Sequence, residues 1–241
     1  MGVDELFRKE RILKPGTVLR GKKTIDEKDI LEPSVTLIPK EERRGKYVAI
    51  EGIDGSGKTT LSNLICRKMS EAGEKCEIVR EPFYEEIKAL LHKMPNMNPI
   101  AEAYLFAADR LIMHTEKLIR LLREDEIIVI GDRSYLASLV YQSTRGAPLE
   151  IILSINSFAV EPDAIILLDV DPGIAWERLK KKGDRQLQHL EAREILGKLR
   201  ETYLKLSSKI ESPPIDIIDA SLPPEEVLER ALEILRKRKL I

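Results

Sequence analysis

Short runs of consecutive apolar residues alternate along this chain with stretches in which apolar positions recur at helical spacing. The runs at 47–50, 76–79, 126–130, 164–170 and 215–218 have the length of strands. Those at 126–130 and 164–170 are largely apolar on successive residues, the pattern of strands covered on both faces of a parallel sheet. Between and after them, 59–72, 100–123, 172–182, 191–208 and 224–236 read as helices, the first closed by Gly73 as a C-cap. Strand and helix in alternation predict an α/β fold, a parallel β-sheet flanked by helices.

The first 45 residues read differently. Residues 3–13 have helical character stopped by Pro15-Gly16, and the stretch beyond carries Pro33 and Pro39 before the charged run 41–45. No long periodic segment appears there. The expected organisation is therefore a short N-terminal extension of unknown role, residues 1–45, followed by one domain over 46–241.

Composition narrows the function classes. Of 241 residues, 43% are apolar and 34% charged, enough to fill a core and too apolar for a disordered chain. Forty basic against forty-one acidic side chains leave a net charge of -1, which argues against bulk binding to nucleic acid or to an anionic membrane. The apolar runs are strand-sized, and the first residues lack the apolar region of a secretion signal. A cytoplasmic protein without a membrane partner is expected. Cys66 and Cys76 form no C-x-x-C pair and are too few for a disulfide framework. His92, His114 and His189 lack metal-ligand spacing. Four asparagines and three glutamines beside abundant Lys, Glu and Arg match the bias of heat-adapted proteins.

The chemistry starts at Gly52-Ile53-Asp54-Gly55-Ser56-Gly57-Lys58-Thr59, which matches G-x-x-x-x-G-K-[ST] in full. A chance match in a chain of this length is roughly a one-in-a-hundred event, and a strand precedes the motif while a helix follows it. Its glycines let backbone N–H groups converge on phosphate oxygens, and the helix adds its positive dipole end. Lys58 is expected to reach the β- and γ-phosphates of ATP, and the Thr59 hydroxyl to ligate Mg²⁺. A GTPase, an ATPase motor and a small-molecule kinase all fit this much.

Further segments separate them. The run 51–60 resembles the opening of a thymidylate kinase, Arg80-Glu81-Pro82 its R-E-P turn, and Leu105-Phe106-Ala107-Ala108-Asp109-Arg110 its L-F-A-A-D-R helix. Asp132-Arg133, with Tyr141-Gln142 downstream, is similar to D-R-Y…A-Y-Q. Order and spacing agree from about residue 46 to the end. The resemblance implies a P-loop kinase fold, a homodimer, and transfer of the γ-phosphate of ATP to dTMP. It implies that Phe106 stacks on thymine, Arg110 bonds its O4, and Arg133 grips the acceptor phosphate, with Arg80 also on the substrate. It gives Asp54 the deoxyribose 3′-hydroxyl and a part in ordering Mg²⁺. Tyr141 looks like the family tyrosine that crowds a ribose 2′-hydroxyl. The residue types suit these roles. Phe106 and Arg110, four apart, share one helix face, pairing a ring for a base with a guanidinium for a carbonyl oxygen. Asp132 and Arg133 close a strand at its carboxyl end, where α/β sheets bind ligands, and Asp132 joins Thr59 as a candidate Mg²⁺ ligand.

The chain departs from the family pattern near the acceptor site: Ser134 replaces a tyrosine, Ala137 a serine, and Phe83-Tyr84 a Gly-Gly. Gly55 and Ser56 stand where some members carry a phosphate-loop arginine. The basic segment 180–185 occupies the place of the family's mobile lid, and Arg185 looks like its lid arginine. The expected catalytic set is Lys58, Arg185, Asp54 and Arg133. Two alternatives stay open: a kinase for another pyrimidine nucleotide or nucleoside, and a nucleotide-binding regulator without turnover.

Overall fold

Strands form where the apolar runs lie: β1 Lys46–Glu51, β2 Cys76–Arg80, β3 Ile128–Asp132, β4 Ala164–Asp169 and β5 Ile215–Asp219. They make one sheet in the order β2-β3-β1-β4-β5, with every neighbouring pair parallel. The structure, a computed structural model, describes residues 38–124, 126–181 and 189–241. β1 lies at the centre, and its last five residues are all buried. Its side chains alternate between two apolar layers. Tyr47, with Val79 and Val129, packs under Met113, Leu118 and Leu122. Val48 and Ile50, with Ile128 and Ile130, pack under Leu61, Ile65 and Leu136. Two covered faces explain why the inner strands β1, β3 and β4 read as apolar runs, while the edge strands β2 and β5 carry Glu77 and Asp216 and stay partly exposed. β3 starts two residues later than its run predicts and continues through Asp132, because Asp132 still pairs with Ile50 of β1 and Arg80 of β2.

The helices are α1 Lys58–Glu71, α2 Glu85–Lys93, α3 Pro99–Met113, α4 Ile119–Glu124, α5 Tyr135–Thr144, α6 Leu149–Ile155, α7 Pro172–Lys181, α8 His189–Ser207 and α9 Pro224–Lys237. The helical stretch predicted at 100–123 is α3 and α4, joined by a π-helical turn over His114–Leu118. That turn starts at a buried His114, whose Nδ1 accepts the Val160 N–H at 3.1 Å. Three helices escape the sequence pattern. α5 is buried from Tyr135 through Val140, so it has no polar stripe to reveal its period. α2 buries no residue, and α6 is only seven residues long.

The described end of the expected extension is fastened to the domain. Ile38 is buried beside Tyr47 and Met113, the Arg43 guanidinium donates to the Glu161 carbonyl at 2.8 Å, and the Arg44 N–H donates to the Leu122 carbonyl at 2.7 Å. The helix expected at 3–13 lies outside the described residues. The two cysteines, too few for a framework, nonetheless form a disulfide. Cys66 on α1 and Cys76 at the start of β2 have Cα atoms 5.1 Å apart. The chain folds back on itself between them, so a pair without C-x-x-C spacing meets in space.

Candidate functional site

The loop between β1 and α1 carries the phosphate motif, and its backbone is built around glycine. Gly55 has φ +81, and a Cβ there would lie 2.3 Å from the Ala175 carbonyl oxygen of α7. Gly52, at φ +142, would press a Cβ to 2.6 Å from the Leu168 carbonyl oxygen. No larger residue fits either place. Lys58 opens α1 and is buried, and its Nζ donates to the Gly52 and Ile53 carbonyls at 2.9 Å each. Burial, reinforced by the Arg133 charge, lowers its pKa to about 8. The Ser56 hydroxyl is buried in the same loop with no hydrogen-bond partner among the described residues.

Across the ends of β1, β2 and β3 stands a second cluster. The Thr59 hydroxyl donates to Asp132 Oδ2 at 2.6 Å, and Arg80 Nε donates to the same oxygen at 2.9 Å. Next to Asp132, Arg133 has φ 86, a left-handed conformation that is costly for a side chain with a Cβ. Its guanidinium pairs with Asp54 and lies over the Tyr141 ring, 4.8 Å from the centroid. Burial would raise the Asp54 pKa, but the charges of Arg133 and Lys58 outweigh it and hold the carboxyl below its usual value.

Two cavities border this arrangement. One, of about 330 Å³, runs from Gly55, Gly57 and Thr60 to Leu64, Arg178 and Val227. The other, of about 230 Å³, is lined by Asp54, Arg133 and Tyr141 at one end and by Phe106, Arg110 and Gln142 further in. Asp54 and Gly55 are chain neighbours, so the phosphate loop separates the two chambers. Arg110 is almost wholly buried and already committed. It forks onto both oxygens of Glu81, pairs with Asn156, and reaches the Ser134 carbonyl and Ser138 hydroxyl at 3.3 Å. Its Nη1 donates to Asn156, and Arg110 is among the residues that line this cavity.

The sequence profile described as thymidylate kinase matches residues 50–231. The chain belongs to the thymidylate kinase family. It is similar to a probable thymidylate kinase 1 of Saccharolobus solfataricus, with 40% identity over 194 residues that cover 80% of this chain and 97% of the relative. A probable thymidylate kinase of Pyrobaculum aerophilum is 37% identical over 191 residues, 79% of this chain and 96% of its own. A thymidylate kinase of Bacillus cereus is 34% identical over 209 residues, 82% of this chain and all of the relative. As in the thymidylate kinase family generally, ATP is the co-substrate and the chain is a nucleotide-binding phosphotransferase.

The fold brings Asp54, Lys58, Thr59, Arg80, Asp132, Arg133 and Tyr141 together at one end of the sheet and puts Phe106 and Arg110 deeper in the second chamber. Arg185 lies outside the described residues. The departures from the thymidylate kinase pattern also find places. Ala137 lines the second chamber, the Phe83 and Tyr84 N–H groups both donate to Asp109, at 2.6 and 2.8 Å, and Ser134 caps α5. Sequence reasoning gave no role to Glu51, Glu81, Asn156 or Tyr203. For Glu51 there was a signal, a carboxylate closing an apolar run directly before the phosphate motif.

Proposed function

We propose that this chain transfers the γ-phosphate of ATP to dTMP, giving dTDP and ADP. The observation that carries the reading is the pair of chambers on either side of one phosphate loop, the second holding the Phe106 ring, three arginines and Tyr141. ATP takes the first chamber, with its phosphates on Gly52 to Thr59 and its adenosine toward Leu64, Arg178 and Val227. dTMP takes the second, with thymine on Phe106, its O4 on Arg110, and its phosphate on Arg133 with Arg80 nearby. Tyr141 closes the ribose end, and Asp54 faces the 3′-hydroxyl.

The chemistry asks for alignment and positive charge more than for bond-making groups on the protein. An acceptor phosphate oxygen, already deprotonated, bonds to the γ-phosphorus as its bond to the β,γ-bridging oxygen breaks, so no side chain needs to take a proton. Lys58 exchanges its two carbonyl partners for phosphate oxygens and supplies charge at the transferred group. Arg133 releases Asp54 to fork onto the acceptor phosphate. Arg185, in the place of the family's lid, supplies the charge that Gly55 and Ser56 cannot.

Mg²⁺ fits this site. Among the described residues no three His, Cys, Asp or Glu side chains are grouped to hold a metal, but Thr59 and Asp132 stand together beside the phosphate loop. One hydroxyl and one carboxylate suit a cation that takes its other oxygens from water and substrate phosphates. When bound, Mg²⁺ neutralises charge on the β- and γ-phosphates.

The working unit in this reading is a cytoplasmic homodimer. The dimer is supported by the family resemblance and by the exposed apolar side chains Leu90, Met94 and Tyr104 near α2 and α3, which a second copy would bury. No helix among the described residues is long and apolar enough to cross a membrane. ADP release measured across a panel of nucleoside monophosphates and nucleosides tests the reaction, with dTMP expected to turn over fastest. Faster turnover of dCMP, UMP or a nucleoside would overturn the substrate, and no ADP release with any acceptor would overturn the enzyme.

A further inference from the structure

Glu51 ends β1 fully buried, and both of its oxygens are in use. Oε1 accepts the Ser134 N–H and the Ser134 hydroxyl, each at 2.7 Å, and Oε2 accepts the Tyr203 hydroxyl at 2.8 Å. A carboxylate buried with three donors and no solvent is held by design of its surroundings, and none of the three touches a substrate chamber as its own lining. What they touch is the backbone around Arg133. On one side of that residue the Glu51 carboxylate fixes the Ser134 N–H; on the other, the Arg133 N–H donates to the Ile50 carbonyl at 3.1 Å. A non-glycine residue at φ 86 persists only where such anchors over-determine it.

Tyr203 reaches the same arginine by a second route. Its ring meets Tyr141 edge to face, with centroids 6.4 Å apart, and Tyr141 in turn lies under the Arg133 guanidinium. One tyrosine therefore supports the arginine's backbone through Glu51 and its head group through Tyr141. Tyr203 belongs to α8, the helix that follows segment 182–188 in the chain. Arg200, one turn earlier on the same helix, forks onto Asp169 at the end of β4 at 2.6 and 2.9 Å, so α8 is fastened at two strand ends.

We propose that Glu51 and Tyr203 form a positioning pair whose task is to hold Arg133 in its left-handed backbone conformation, with the guanidinium aimed at the acceptor phosphate. Neither residue touches the reacting atoms. The inference rests on the reading of Arg133 as the acceptor-phosphate ligand.

The test separates phosphate recognition from general folding. Tyr203→Phe removes one hydroxyl and leaves the ring, and Glu51→Gln keeps the shape and one acceptor oxygen. For both variants and for Arg133→Ala, calorimetry measures binding of dTMP and of thymidine, which lacks the phosphate, and steady-state kinetics gives KM for dTMP and for ATP. The expected result for Tyr203→Phe and Glu51→Gln is about five- to tenfold weaker dTMP binding with thymidine affinity and the ATP KM unchanged. A merely structural role would weaken thymidine, dTMP and ATP together or lower only the melting temperature, and that result would overturn the proposal. Normal dTMP binding in both variants, with Arg133→Ala impaired, would overturn the pair while leaving Arg133 in place. If Arg133→Ala itself weakened dTMP no more than thymidine, the reading of Arg133 would fall and the pair with it.

Discussion

Reducing the Cys66–Cys76 disulfide should lower the stability of the fold by a calculable amount. The bond closes a loop with a sequence separation of 10 between α1 and β2. Loop-closure entropy for that length gives about 2.7 kcal/mol at 25 °C, all of it from the unfolded chain. At the usual unfolding entropy of about 2.1 cal/mol/K per residue, a chain of this length would melt about 5 °C lower when reduced. The comparison is made on one protein, oxidised and reduced, with thiols titrated in each sample and unfolding followed by circular dichroism. A Cys66→Ser, Cys76→Ser variant should melt low and ignore reductant. Activity should survive at temperatures below either transition, because Cys66 lies eight residues beyond Lys58, about 12 Å along the helix. An unchanged melting point in a sample shown to be fully reduced would refute the loop-entropy argument, and a loss of turnover in a folded, reduced sample would refute the separation of bond and site.

Four other outcomes follow from the site. Lys58→Ala should lower kcat by about 10²–10³ with the circular dichroism spectrum intact, and near-normal turnover would remove this loop from the chemistry. Only the protonated Lys58 brings positive charge to the phosphates, and burial sets its pKa in the free protein at about 8; ATP affinity should therefore be level below pH 8 and fall as pH rises through that value, by up to about tenfold per unit, while a Lys58→Met variant shows no such slope in calorimetric titrations. Deleting residues 1–37 should leave kcat unchanged, whereas deleting 1–44 also strips Ile38 from its buried cluster and should cost about 2–5 kcal/mol in denaturant unfolding. Arg185→Ala should lower kcat with little change in the dTMP KM, measured beside Lys182→Ala; a raised ATP KM at constant kcat would reduce Arg185 to ground-state binding, and a larger kcat loss in the lysine variant would move the role there.

Much of the fold was legible because burial on both faces writes itself into the inner strands β1, β3 and β4 as an apolar run, while the edge strands β2 and β5 still show short apolar stretches. All five strands lie within two residues of their runs at the amino end, and the helices with a polar face, α1, α3, α7, α8 and α9, are where the period places them. α5 was illegible for the opposite reason. A helix buried on nearly every side has no contrast to read, and its start is marked only by the Ser134 cap. At the site, the residues carried by local motifs were legible, since Gly52 to Thr59 and Asp132-Arg133 are each contiguous. The partners that fix them were not. Glu81 holding Arg110, and Glu51 joined to a tyrosine 152 positions away, are facts of the folded chain alone. The disulfide belongs with these, its two cysteines being joined by a turn of topology that spacing does not disclose.

The tight seat of Gly55 limits how this protein's own history can change. Some relatives carry an arginine inside the phosphate loop, and a single codon change would suffice to place one at 55. Here that side chain would have to be born into the Ala175 carbonyl, on a backbone whose φ of +81 disfavours any Cβ. α7 would have to retreat first, and α7 covers the core with Trp176 and Ala175. While α7 keeps this seat, position 55 is closed to an arginine, and an extra cation at the phosphates has to come from another position.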